Sequence, residues 1–249
     1  MKLTILGSGT PAPLLDRNCA GYLLEIDSRK LLFDSGAGTI RRLLEINIDL
    51  FAIEHIFYTH LHNDHINDLG AIIWSNNYGG TRKKPLNLYG PEGFKNYFKI
   101  LLENLLKPTK INFKINVTEL KNSTMKIGNT SIKTAQISHS TTTKSIAYRI
   151  EHKNKSIVYT GDTEYCNEAI EIAENADILI TECSLPDNKK AEGHLTPSLA
   201  GKIASKAQVK TLILTHFYPQ VLKTNIMKQC RKEFSGRIIL AKDKMRLAI

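Results

Sequence analysis

Short apolar runs at 3–6, 21–26, 30–33 and 53–58 are each cut off by turn-forming residues, and their spacing predicts strands. The turn Asp27-Ser28-Arg29 joins the second and third as a hairpin. Between 39 and 48 the apolar positions Ile40, Leu43, Leu44 and Ile46 return on a helical period, with Arg41 and Arg42 on the other side, so an amphipathic helix is expected. A helix is likewise expected from about 66 to 74. A second runs from the turn at Gly90-Pro91-Glu92-Gly93 to about 106, where Phe94, Tyr97, Phe98 and Leu101 form a core-facing stripe. From 112 onward the pattern becomes β, with strands at 113–120, 130–138, 145–151 and 155–160. Strands at 176–181, 211–215 and 237–241 then alternate with helices at 164–175, 197–207 and 220–234. Strand followed by helix, repeated, is the signature of an α/β fold.

The chemistry gathers where strands end. Directly after the strand at 53–58 comes Thr59-His60-Leu61-His62-Asn63-Asp64-His65, four metal-type ligands within six residues. On extended chain His60 and His62 point the same way and can grip one ion. Asp64 and His65 are adjacent, and a turn there frees them to serve a second ion. Later strands end at His139, Asp162, Glu182 and His216, and polar groups at the same end of neighbouring strands converge on one cleft. His55 and His152 fall at a strand start and a hairpin tip, outside that set.

Bulk properties narrow the picture only a little. At 249 residues, 42% hydrophobic and 23% charged, the chain has the make-up of a globular enzyme, read as one domain over 1–249. No apolar stretch approaches a membrane span and no signal peptide is seen, so a cytoplasmic location without membrane attachment is expected. Cys19, Cys166, Cys183 and Cys230 form no Cys-x-x-Cys pair and read as reduced thiols. The formal net charge of +10 either attracts polyanions such as nucleic acid or only solvates the surface. The stretch 75–85, with Arg82-Lys83-Lys84, reads as a loop, either solvated or a mobile lid over an anionic substrate.

Taken together, Gly7-Ser8-Gly9-Thr10, Phe33-Asp34-Ser35-Gly36, the 59–65 motif, Ser138-His139, Thr160-Gly161-Asp162-Thr163, Thr181-Glu182, His194-Leu195-Thr196 and Thr215-His216 resemble the metallo-β-lactamase fold superfamily, and within it the ribonuclease Z branch. The resemblance covers nearly the whole chain. It implies a four-layer αββα sandwich with two divalent ions at one edge, Zn2+ above all, with Mn2+ or Fe as alternatives. His60, His62 and His139 would hold the first ion and Asp64, His65 and His216 the second, with Asp162 bridging. Asp64 would orient or deprotonate the attacking water. His194, oriented by Glu182, would donate a proton to the leaving group, and Asp34 would orient a ligand histidine. A homodimer is implied by the resemblance alone.

The implied activity is phosphodiester hydrolysis, on RNA 3' ends as in tRNA processing or on small phosphodiesters such as cyclic nucleotides. Two features depart from the branch. His139 and Asp162 are 23 positions apart, enough for two strands and a turn but not for the long arm that clamps the tRNA elbow. After Gly36 the chain continues Ala37-Gly38-Thr39-Ile40, where the branch carries an acidic residue and a Gln. Both weigh against precursor-tRNA cleavage. Two further readings are an acyl hydrolase for a thioester or lactone, and a non-catalytic RNA-binding relative.

Overall fold

A computed structural model describes residues 1–107 and 110–249. The first sheet takes β1 (Lys2–Gly7), β2 (Gly21–Ile26), β3 (Arg29–Ser35), β4 (Ile53–Phe57), β5 (Leu86–Gly90) and β6 (Ile115–Glu119). The second takes β7 (Thr124–Ile127), β8 (Thr130–Ile137), β9 (Ser145–His152), β10 (Lys155–Tyr159), β11 (Ile178–Glu182), β12 (Thr211–Thr215) and β13 (Arg237–Leu240). A last strand, β14 (Arg246–Ala248), returns to the first sheet, antiparallel to β1. Each sheet thus has seven strands, in the orders β14-β1-β2-β3-β4-β5-β6 and β13-β12-β11-β10-β9-β8-β7. In both, a parallel half (β3 to β6, and β10 to β13) adjoins an antiparallel half. The carboxyl ends of the parallel strands lie at one edge and carry most of the site, which His139 joins from the end of β8.

Period-2 alternation sorts the strand residues into two cores. In β2 and β3, Tyr22, Leu24, Leu31 and Phe33 pack between the sheets, while Leu23 and Leu32 join the core under the outer helices. The helices are α1 (Thr39–Glu45), α2 (Asn63–Ile66), α3 (Leu69–Tyr78), α4 (Phe94–Ile100), α5 (Asn167–Ile172), α6 (Pro197–Lys206), α7 (Pro219–Leu222) and α8 (Ile226–Cys230). Leu43, Ile72, Ile73 and Phe94 from α1, α3 and α4 cover the first sheet. Ala169, Ala200, Ile203 and Ile226 from α5, α6 and α8 cover the second. The result is the αββα sandwich that the resemblance implies. Between the sheets, buried tyrosines keep their hydroxyls paired: Tyr148 donates to the Tyr58 carbonyl at 2.7 Å, and Tyr22 meets Thr215 Oγ1 at 2.7 Å.

Several elements differ from expectation for local reasons. The helix expected at 220–234 breaks in two, because the Asn225 side chain accepts from Lys228 N and starts a new helix. Strands β7 and β14 are four and three residues long, too short for a periodic signal to emerge. The helix α3 runs to Tyr78, into the stretch read as a loop.

Of the two readings of that stretch, solvated loop or mobile lid, the place of Arg82 opposes the lid. Arg82 is buried, donating to Asn76 Oδ1 and to the Ile53 carbonyl at 2.6 Å each. Ile53 opens β4 and His60 lies beyond its other end, so Arg82 is tied down roughly 20 Å of extended chain away from the metal-type residues. Lys84 pairs with Glu54 at 2.6 Å, and Arg42 with Glu45 at 2.8 Å and Asp243 at 3.2 Å. Of the residues read as basic patches, Arg82 and Arg42 therefore serve the fold. Replacing Arg82 by Ala leaves buried acceptors unpaired and should cost about 2–4 kcal/mol in urea unfolding. Metal binding by the folded variant should stay within about twofold of wild type, as expected for a loss of stability alone.

Candidate metal centre

Each polar residue at the edge is placed by a backbone feature. Beyond β4 the chain continues through Thr59 and His60 to His62, which caps α2, and this single turn of helix carries Asp64 and His65. His216 follows β12 with φ of 54°, a left-handed turn that swings its imidazole back into the cleft. Gly193 has φ of 77°, and a Cβ there would lie 2.1 Å from the His139 carbonyl oxygen, so only glycine fits. Its own carbonyl accepts from His139 Nδ1 at 2.7 Å.

All seven residues expected as ligands come together, in two groups whose donor atoms lie within 4.8 Å of one another. One group is His60, His62 and His139; the other is Asp64, His65, Asp162 and His216. Asp162 lies between them, 4.0 Å from His60 Nε2, 3.3 Å from His65 Nε2 and 3.4 Å from His216 Nε2. His55 and His152 lie elsewhere, against Tyr89 and Thr130.

Hydrogen bonds on the far side of each ring decide which nitrogen faces inward. A carbonyl can only accept, so His139 donates from Nδ1 and turns Nε2 inward, 3.2 Å from His62 Nδ1. Thr59 Oγ1 gives its proton to Asp34, so it accepts from His60 Nδ1 at 3.0 Å, and His60 Nε2 is left bare. The Ser184 hydroxyl gives its proton to Glu182 and accepts from His216 Nδ1 at 3.0 Å. Asp34 accepts from His65 Nδ1 at 2.8 Å. Four rings thus have Nδ1 hydrogen-bonded away from the cleft and turn Nε2 toward one small volume.

The donor set fits a metal site. His60 Nε2 and Asp162 Oδ1 are buried without a hydrogen-bond partner among the described residues, an arrangement that costs free energy unless a cation satisfies it. Burial, with the neighbouring His65, holds the His60 imidazole well below its usual pKa. Burial pulls His65 down too, but Asp162 and Asp34 outweigh it and raise its pKa well above the usual value. Burial favours protonation of Asp162, yet His216 and His65 hold its carboxyl well below the usual carboxylate range. A buried carboxylate that stays ionised among converging imidazoles is the donor chemistry of a metal site.

His194 stands at the rim, partly exposed, its Nδ1 3.0 Å from Glu182 Oε1 and 3.2 Å from Oε2. Burial lowers its pKa, but the bond to Glu182 and the charges of Glu182 and Asp162 overcome this and raise it to about 9. The ring is therefore protonated at neutral pH, and its Nε2–H makes no hydrogen bond among the described residues. His139, Asp162, Glu182 and His194 form a third group at ligand spacing. In that group Glu182 already accepts from Thr163 N, Leu195 N and Ser184 as well as His194, so its lone pairs are engaged.

A family model for the anti-Pycsar protein Apyc1 matches residues 1–237. The chain belongs to that family. It is also 28% identical to ribonuclease Z of Methanothermobacter thermautotrophicus, over all of this chain and 97% of that protein. Among solved structures, it superposes on the metallo-β-lactamase-fold protein YhfI of Bacillus subtilis with a TM-score of 0.86 and 26% identity, covering 99% of this chain and 98% of that one. The short form of human tRNase Z gives a TM-score of 0.83 at 25% identity, covering 100% and 99%. With the clusters above, these likenesses identify this Apyc1-family chain as a metal-dependent hydrolase of the metallo-β-lactamase fold, ribonuclease Z-like. The expected fold and branch are borne out; the Apyc1 family itself was not legible from the motifs. No helix among the described residues is long and apolar enough to cross a membrane.

The sequence reading passed over Thr59 and Ser184, whose hydroxyls set two ring orientations, and Tyr159, whose hydroxyl donates to Asp34 at 2.6 Å. Thr59 and Ser184 had a weak signal, each lying within two residues of a site residue. Tyr218 was also missed. Its ring stands 6.2 Å from that of His194 and 6.0 Å from that of His216, and burial together with Asp64 and Asp162 raises its pKa to about 12.

Two measurements check this geometry. Asp34→Asn should weaken zinc binding by about 10–100-fold in a chelator competition, the usual loss when a ligand's orienting partner is altered. In chelator-treated protein, NMR titration should place His194 at about 9, and Glu182→Gln should bring it below the ordinary histidine value of about 6.5. Because folding raises this pKa, the stability it contributes is present below about pH 6.5 and lost as pH rises through about 9.

Proposed function

We propose that the protein is a metal-dependent phosphodiesterase whose preferred substrates are small phosphodiesters. The observation that carries this reading is the His194–Glu182 pair beside the two ligand clusters. An oxyanion leaving from phosphorus needs a proton, and a rim imidazolium held through Nδ1 by Glu182 has its Nε2–H to give. In this reading His60, His62 and His139 would hold one ion and Asp64, His65 and His216 a second, with Asp162 available to both. Mixed imidazole and carboxylate donors suit Zn2+, with Mn2+ next. Such ions would supply Lewis-acid neutralisation of the phosphate oxygens and an acidified water. Asp64, whose Oδ2 lies 3.0 Å from His216 Nε2, orients the attacking water and takes up its proton. His194 gives its Nε2 proton to the leaving oxygen, and Glu182 holds the ring in place for that transfer.

The preference for small substrates rests on the segment between His139 and Asp162. Its residues are consumed by the end of the second sheet's hairpin, β9 and β10, whose strands pair from Lys155 and His152 to Tyr159 and Tyr148. No length remains for an arm that would reach along an RNA. The second reading, RNA 3' ends, is favoured by the ribonuclease Z name of the relative and by the net charge of +10.

Bis-p-nitrophenyl phosphate with added zinc or manganese should be hydrolysed, and Asp64→Ala should lower kcat by about 10²–10⁴-fold. His194→Ala should lose a similar factor on a diester with an alkyl leaving group, but little on the p-nitrophenyl one, whose anion departs unprotonated. Absence of turnover by fully metal-loaded protein sinks the reading. Cleavage of precursor tRNA at rates matching those on cyclic or aryl diesters would favour RNA instead.

A further inference from the structure

Tyr218 stands where the two halves of the proposed chemistry meet. It follows His216 by two residues and caps the amino end of α7, where Pro219 restricts the backbone. Its amide donates to the Ser184 carbonyl at 3.4 Å, and its carbonyl accepts from Val221 N at 3.2 Å. Ser184 is the residue whose hydroxyl orients His216, so ring and ligand share one anchor. The phenol ring is nearly perpendicular to both neighbours, at 76° to His194 and 82° to His216. Although the residue is half-buried, its hydroxyl makes no hydrogen bond to any described residue, unlike Tyr22, Tyr58, Tyr148 and Tyr159, whose hydroxyls are all paired within the fold. A tyrosine fixed at its backbone, wedged against two site imidazoles and carrying a free donor is placed to meet a ligand.

We infer that Tyr218 is a positioning residue whose hydroxyl donates a hydrogen bond to a non-bridging oxygen of the substrate's phosphoryl group. The inference rests on the phosphodiesterase reading above. It assigns the phenol a task separate from that of His194. His194 serves the leaving oxygen, so its value depends on what leaves. Tyr218 serves an oxygen that every phosphodiester carries, so its value is the same whatever leaves.

Tyr218→Phe removes the hydroxyl and keeps the ring. In metal-loaded protein it should lower kcat/KM by about tenfold, the effect of one hydrogen bond to a charged oxygen. The loss should be equal for aryl and alkyl leaving groups, while metal content stays at the wild-type level. Inorganic phosphate, which presents the same oxygens, should bind the variant about tenfold more weakly by calorimetry. That arm needs no turnover, so it reads the assignment even if wild type hydrolyses no diester, a result that would overturn the phosphodiesterase reading alone. Phosphate affinity within twofold of wild type, a loss that varies with the leaving group, or a parallel fall in metal content would each overturn the role of Tyr218.

Discussion

One buried carboxylate ties the molecule together. Asp34 has no exposed surface and accepts four hydrogen bonds: from Thr59 N and Thr59 Oγ1 after β4, from His65 Nδ1 on α2, and from Tyr159 Oη at the end of β10. An ionised carboxylate in a sheet interface is costly unless its lone pairs are filled, and here the filling groups come from both sheets. The same bonds set the site. Through Thr59 the carboxylate fixes the tautomer of His60, and directly it fixes His65, so one ring in each ligand group takes its orientation from Asp34. Its left-handed φ of 54° is a local strain that these bonds over-determine.

The second sheet carries a counterpart. Glu182, ending β11, is almost fully buried and accepts from two backbone amides, from Ser184 and from His194. Through Ser184 it fixes His216, and directly it raises the pKa of His194. Each sheet thus contributes one buried acid that orients a ring facing the shared cleft, and Asp162 lies between the two systems. The inter-sheet tyrosines extend this coupling into the apolar core. Tyr22 reaches Thr215 beside His216, and Tyr159 reaches Asp34, so the packing of the sandwich and the aim of the ligands are one problem with one solution.

The strands and the ligand set were legible because each rests on a local rule. Side chains alternate along β2 and β3 whatever their neighbours do, and a His-x-His pair on extended chain points one way by geometry alone. The reading failed where a local pattern had two meanings. Arg82-Lys83-Lys84 looks like a solvated basic run, yet Arg82 turns inward because the Ile53 carbonyl and Asn76 offer acceptors that no window of sequence reveals. The break at Asn225 was hidden for the opposite reason, since a capping asparagine is indistinguishable from a surface one until Lys228 N is seen to donate to it.

By itself, the order of residues determined the α/β class and the gathering of metal-type residues at and just beyond strand ends, since periodicity and spacing are properties of neighbours in the chain. Only the tertiary structure decided which nitrogen of each imidazole faces the cleft, why His194 holds its proton, and that Tyr218 stands beside it with a free hydroxyl. Those properties depend on hydrogen bonds between residues far apart in the chain, 125 positions for Tyr159 and Asp34, and on burial that strengthens every charge within reach. The opening motif named the donors; the two buried acids, one in each sheet, aim them.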